Sequence, residues 1–189
     1  VDMTYDSKNP GNQNRFVPAQ FPLEGSPTFS DDPQFPANAN ATQLRLDVRA
    51  PEPPGNLRFY YQNDFIDSGS DTGDMKYRVQ HVYGQLFGFK AGFTYGVWED
   101  PDSWPDTVDY EGPNAVIFAR RALVRYMLPL SDAWQINFGI EAPGSEVDAN
   151  SITNTIKQVN KAPDGTMNLR WENAKWGHVQ LGGVARSIG

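Results

Sequence analysis

The chain has 189 residues and carries 23 acids against 16 bases, a formal net charge of −7. Such a chain offers no global basic field to nucleic acid. With no cysteine and only two histidines, His81 and His178, it has little material for thiol chemistry, thiolate-bound metals, a His-rich metal site or a Ser-His-Asp triad.

Mean hydropathy is −0.58, and no apolar run approaches the roughly 18 residues of a membrane-spanning helix. Glycine (17), proline (15) and 13% aromatics suit an all-β protein. Low hydropathy does not argue against a membrane barrel, because barrel strands alternate apolar and polar residues.

Period-two alternation recurs along the chain. Val1, Met3 and Tyr5 alternate with Asp2, Thr4 and Asp6. Leu44, Leu46 and Val48 follow, against Arg45, Asp47 and Arg49. Leu57, Phe59 and Tyr61 stand against Arg58, Tyr60, Gln62 and Asp64, and Tyr77, Val79 and Tyr83 against Lys76, Arg78 and Gln80. Phe89, Ala91, Phe93, Tyr95 and Val97 interleave with Lys90, Gly92 and Thr94. A more continuously apolar run covers 115–128. Trp134, Ile136, Phe138 and Ile140 then alternate with Gln135, Asn137, Gly139 and Glu141. Met167, Leu169 and Trp171 alternate with Asn168, Arg170 and Glu172, and Val179, Leu181 and Ala185 with His178, Gln180 and Arg186. About nine strands result, and residues 150–160 read as loop.

Connections alternate between long and short. Tight turns fall around PEPPGN, QLF, PLSD and ENA; the others are long and rich in Pro, Asp and Gly. In an antiparallel meander, alternate connections lie at opposite ends. Short turns at one end and long loops at the other is the outer-membrane barrel pattern.

On that reading the apolar face meets lipid, with Tyr83, Tyr95, Tyr126, Trp134 and Trp176 suited to an interfacial girdle. In a water-soluble sandwich the same residues would form the core. By parity the polar face carries Arg45, Arg49, Arg58, Lys76, Arg78, Lys90, Arg121, Arg125, Arg170 and Arg186. The acids on it are fewer: Asp2, Asp6, Asp47, Asp64, Glu141 and Glu172. A basic face in an acidic chain suits a water-filled, anion-favouring channel; alternatively the bases pair with the acids in a solvated sheet face. Arg120 falls on the apolar side. At a bilayer midplane an Arg costs roughly 2–4 kcal/mol, so a rim, a β-bulge or a subunit interface is expected. His81 falls on the apolar side too, as a neutral girdle or interface residue.

The loop 98–114 holds Glu99, Asp100, Asp102, Trp104, Asp106, Asp109 and Glu111. Paired carboxylates beside Trp98 and Trp104 could serve glycoside hydrolysis. A Pro-stiffened constriction loop, its acids pairing with wall arginines, is preferred. DSGSDTGD at 67–74 lacks the spacing of a calcium loop. No catalytic residue, cofactor or metal is expected, and the chain does not read as an enzyme.

One stretch carries a family resemblance. In 76–126, Tyr83-Gly84 closes an Arg-bearing strand and Gly92 to Thr94 lies in the next. The loop Pro105 to Asn114 follows, then the Arg-bearing strand Arg120 to Tyr126. This resembles the DcaP-like trimeric outer-membrane porins of Gram-negative bacteria. Asp2 to Asp6 and Phe16-Val17-Pro18 are similar to that family's first strand and loop, whereas Tyr95 and Gly96 depart from its pattern. The resemblance implies a barrel of about 16 strands, a homotrimer in outer-membrane lipid, and passage of small anionic solutes such as dicarboxylates. About nine strands then read as the N-terminal half of such an antiparallel transmembrane β-barrel, with 1–189 a single, incomplete barrel domain.

The functional expectation is an outer-membrane porin passing small anions passively through an arginine-lined channel. The alternatives are a small non-conducting structural barrel and a soluble β-sandwich carbohydrate-binding module.

Overall fold

A computed structural model of the chain describes residues 2–8, 21–50, 56–66, 75–104, 119–144 and 161–187. Among these, eight strands form one sheet: β3 (Leu44–Ala50), β4 (Leu57–Ile66), β5 (Met75–Leu86), β6 (Phe89–Tyr95), β7 (Arg120–Pro129), β8 (Trp134–Glu141), β9 (Asp164–Asn173) and β10 (Gly177–Ala185). Each strand neighbours the next in sequence, from β3 to β10. From β5 to β10 each strand pairs antiparallel with the next. Local chemistry supports the tight turns. Between β5 and β6, Phe87 and Gly88 take φ of 52° and 83°, the two positive values of a two-residue hairpin turn. A Cβ on Gly88 would stand 3.0 Å from the Met127 carbonyl.

The chain divides into two compact units: Val1–Leu46 with Tyr61–Gln80 and Asp102–Val116, and Asp47–Tyr60 with His81–Pro101 and Ile117–Gly189. In the first, β1 (Asp2–Met3) pairs antiparallel with β2 (Ala37–Asn38), and Asp6 bridges Gln34. This corrects one sequence expectation: the N-terminal segment pairs in a separate two-stranded sheet and is not a strand of the eight-stranded meander. Residues 37–38 were no strand by pattern; they are recruited by a partner.

Burial is inverted relative to a water-soluble domain. Among the described residues, the buried hydrophobic side chains are Tyr83, Val97 and Leu123. Buried polar ones include Gln62, Asn63, Asp64, Gln80, Lys90, Thr94, Asn137, Glu141, Asp164 and Asn168. The alternating apolar residues are exposed: Leu44, Leu46 and Val48 on β3, Phe138 and Ile140 on β8, Val179 and Leu181 on β10. A soluble sandwich buries this set, since burial contributes about 25 cal/mol per Å² of apolar surface. Period-two strands with the apolar side outward match a barrel wall in lipid.

Two further corrections concern parity. Tyr83 pairs in register with Gly92 and is buried, on the same side as Lys90, rather than in an apolar girdle. His81 is buried as well; its Nδ1 lies 2.9 Å from Thr94 Oγ1, and its ring meets Tyr95 edge-on at 4.7 Å. The reason is local: Gln80 and His81 are consecutive buried residues, so the two-residue period is interrupted between them. Strand β9 also begins earlier than its pattern, at Asp164, and this places a carboxylate of the expected loop among the buried polar groups. Arg120 opens β7, in register with Tyr95 at the end of β6. Its Nη2 donates to Tyr95 Oη at 3.1 Å and its guanidinium stacks at 5.0 Å from that ring, which is the strand-end placement expected for it.

Candidate functional site

The expected basic residues sort into distinct groups. Arg58 donates to both oxygens of Asp47, at 2.9 and 3.0 Å, and Arg49 donates to Asp47 Oδ2 at 2.6 and 3.0 Å. Arg78 binds Asp64 bidentately at 2.9 and 2.7 Å, and Gln80 donates to the same carboxylate. Asp164 accepts from Arg186 at 2.9 and 2.6 Å and from Arg121 at 3.2 Å. Arg170 reaches Asp100 at 3.3 Å and Glu172 at 3.2 Å. Arg45 donates to Gln43, and Lys76 is exposed. Lys90 and Arg125 have no carboxylate partner among the described residues. Most arginines of the polar face are thus held by carboxylates in charge-assisted hydrogen bonds, with Asp64 and Asp164 nearly fully buried.

Onto this face folds the chain that follows β6. Val97 is fully buried. Its N–H donates to Glu141 Oε1 at 2.6 Å, and its carbonyl accepts from the Asn168 amide. Thr166 Oγ1 donates to the same Glu141 oxygen at 2.9 Å. Gln180 Nε2 donates to the carbonyls of Trp98 and Glu99, at 3.3 and 2.9 Å. Asp100 receives Arg170 and lies 2.8 Å from His178 Nε2. Backbone groups that a loop would otherwise show to water are thereby satisfied by strand side chains.

Two glycines of the polar face make room. A Cβ at Gly139 would stand 2.5 Å from Val97 Cγ2 and 2.8 Å from Thr166 Oγ1. One at Gly182 would stand 2.9 Å from the Trp98 carbonyl oxygen. These glycines, with Glu141, Asn168, Gln180 and His178, form a seat that sequence reasoning did not single out. The available signal was a glycine at a polar-face position in each of two strands, where a polar side chain is the rule.

Of the loop acids, Glu99 and Asp100 belong to this seat. Asp102 lies in the short 3-10 turn Pro101–Ser103, and Trp104 is half-buried. Asp106, Asp109 and Glu111 lie outside the described residues, as do 67–74, 115–118, 150–160 and all of the Pro105 to Asn114 motif.

Glu99 is 5% exposed, and its Oε1 accepts from the Ala119 N–H at 2.6 Å. Burial pushes its carboxyl up to about 7, against the lowering effect of that N–H, and the nearby Glu141 carboxylate adds to the rise while Arg121 opposes it. A raised folded value means that the seat is stabilised most below the ordinary value of 4.5 and loses that stabilisation as pH climbs through about 7. Amide exchange at Val97, corrected for intrinsic base catalysis, should therefore quicken between pH 5 and 8, and E99Q should flatten the dependence. Equal protection across this range in the unsubstituted protein would contradict it.

A family model described as the DcaP outer membrane protein matches residues 1–187. The chain belongs to the DcaP outer membrane protein family. The DcaP assignment places the exposed apolar side of the strands in a bacterial outer membrane, as the alternation and burial require. Among solved structures, the crystal structure of the outer membrane channel DcaP of Acinetobacter baumannii is similar, with a TM-score of 0.71 at 19% identity. The similarity covers 82% of this chain and 43% of that one, so the chain spans less than half the length of that DcaP channel. The likeness gives the fold: an antiparallel sheet like the wall of an outer-membrane β-barrel. No curated protein matches the sequence.

Proposed function

We propose that the protein forms the wall of an outer-membrane channel for passive diffusion of small anionic solutes, dicarboxylates among them, as a homotrimer of a Gram-negative bacterium. The transport reading requires no catalytic group, and none is assigned. The observation that carries it is the combination of a buried polar face with two bases, Lys90 and Arg125, that no described carboxylate neutralises. Family membership and the name of the similar Acinetobacter channel support it. The segment 96–101, seated on the polar face, is the element suited to narrow the passage.

Fixed positive charge along an aqueous path favours anions. Five arginines share the carboxylates of Asp47, Asp64 and Asp164, so their field is reduced without being cancelled, and a preference is expected rather than a trap. The test is the reversal potential of the full-length protein in planar bilayers under a salt gradient. Anion preference is expected. Cation preference would overturn the reading, and absence of conductance would favour a non-conducting barrel.

A further inference from the structure

We propose that Lys90 and Arg125 form a seat for one small oxyanion, a carboxylate or a phosphate, on the polar face of β6 and β7. The inference rests on the anion-channel reading and gives it a specific station. Lys90 and Arg125 are partners in register across the two strands. Like charges directly opposite each other destabilise a sheet. Here the pair is also withdrawn from water: Lys90 is 9% exposed, and Arg125 Nε is buried with no hydrogen-bond acceptor among the described residues.

No described carboxylate is in contact with either. The Lys90 ammonium lies 4.4 Å from the Tyr83 ring centroid, a contact worth less than an ion pair. Arg58 stands 5.7 Å from the same ring, but it is paired with Asp47, which it shares with Arg49. Asp164 is held by Arg121 and Arg186. Glu141, which accepts from Val97 and Thr166, acts on Arg125 through space but forms no ion pair with it or with Lys90. Two cations held together with no anion in contact raise the energy of the empty protein. An oxyanion between them would accept from the Arg125 fork and the Lys90 ammonium at once, in charge-assisted bonds. The station adjoins the seated segment, since Val97 packs on Gly139 and Gly139 is the register partner of Arg125.

Calorimetric titration of the purified full-length protein with disodium succinate, and separately with sodium phosphate, tests this. K90M and R125M should each weaken binding about tenfold or more. K90R should retain most of it, as should K175M, which removes a cation from the turn before β10. The probe that binds more tightly identifies the chemistry. A second readout separates a ligand seat from a structural pair. K90M should raise the Tm of the anion-free protein, because it removes one of two like charges. Unchanged affinity for both probes in K90M and R125M, or a lower anion-free Tm in K90M, would overturn the seat. Reversal potentials judge the channel reading separately, so unchanged affinities with an intact anion preference would sink the seat alone.

Discussion

Substituting Gly139 by alanine should displace the 96–101 segment from the polar face and raise the single-channel conductance of the full-length protein. The new Cβ would lie 2.5 Å from Val97 Cγ2 and 2.8 Å from Thr166 Oγ1. Carbon atoms settle near 3.5–4.0 Å, so an opening of about 1 Å is needed. Val97 cannot yield by rotating into space, because it is fully buried and its β-branched side chain is stiff. A backbone shift of that size stretches the 2.6 Å bond from Val97 N–H to Glu141 beyond hydrogen-bond range. Overpacking costs roughly 1–3 kcal/mol, and the two hydrogen bonds at Val97 contribute about 1 kcal/mol each, so the effects are comparable and the seat should loosen. The double variant G139A/V97A removes the colliding methyl and should return conductance toward the original value. G182A has no such rescue, because its clash is with the Trp98 carbonyl. Unaltered conductance in G139A would show that the seated segment does not narrow the passage.

The largest loss of stability is expected from Asp164→Ala. The carboxylate is 1% exposed and holds two guanidiniums, Arg121 and Arg186, whose side chains are 16% and 23% exposed. Removing the shared partner leaves two cations near one another without a counter-charge, which costs roughly 3–5 kcal/mol when a buried pair is broken. Arg121 also donates to the carbonyls of Ala142 and Gly144, so part of its charge stays solvated by backbone. Denaturant unfolding of the full-length protein in liposomes would show the loss as a lower midpoint at unchanged slope. R186Q should cost much less, because Asp164 keeps Arg121. A D164A midpoint within experimental error of the original would contradict the buried-triad account.

Strand positions and faces were legible because barrel strands repeat every two residues and their connections alternate in length. The strand Leu44–Ala50 lies where its alternation places it, and from Asn137 to Glu141 buried or half-buried polar positions alternate with exposed apolar ones. The pattern fails where a tertiary partner overrides it. Residues 37–38 become a strand because Asp2–Met3 pairs with them. Tyr83 turns inward after Gln80 and His81 are buried consecutively, a one-residue slip that moves every later side chain of the strand to the opposite face.

The candidate site divides in the same way. That the polar face is rich in bases follows from parity in the primary structure alone. Which bases keep their charge does not, because ion pairing depends on atoms a few ångströms apart on different strands: Asp47 is 11 residues from Arg58, and Asp164 is 43 from Arg121. The seat of the 96–101 segment is equally invisible in one dimension. It joins Val97 to Asn168 across 71 residues and Trp98 to Gln180 across 82, and it depends on two glycines whose value is the volume they leave empty. A periodic pattern is a property of neighbours in the chain and survives in the sequence. Charge compensation and steric room are properties of neighbours in space, and only the folded sheet brings those together.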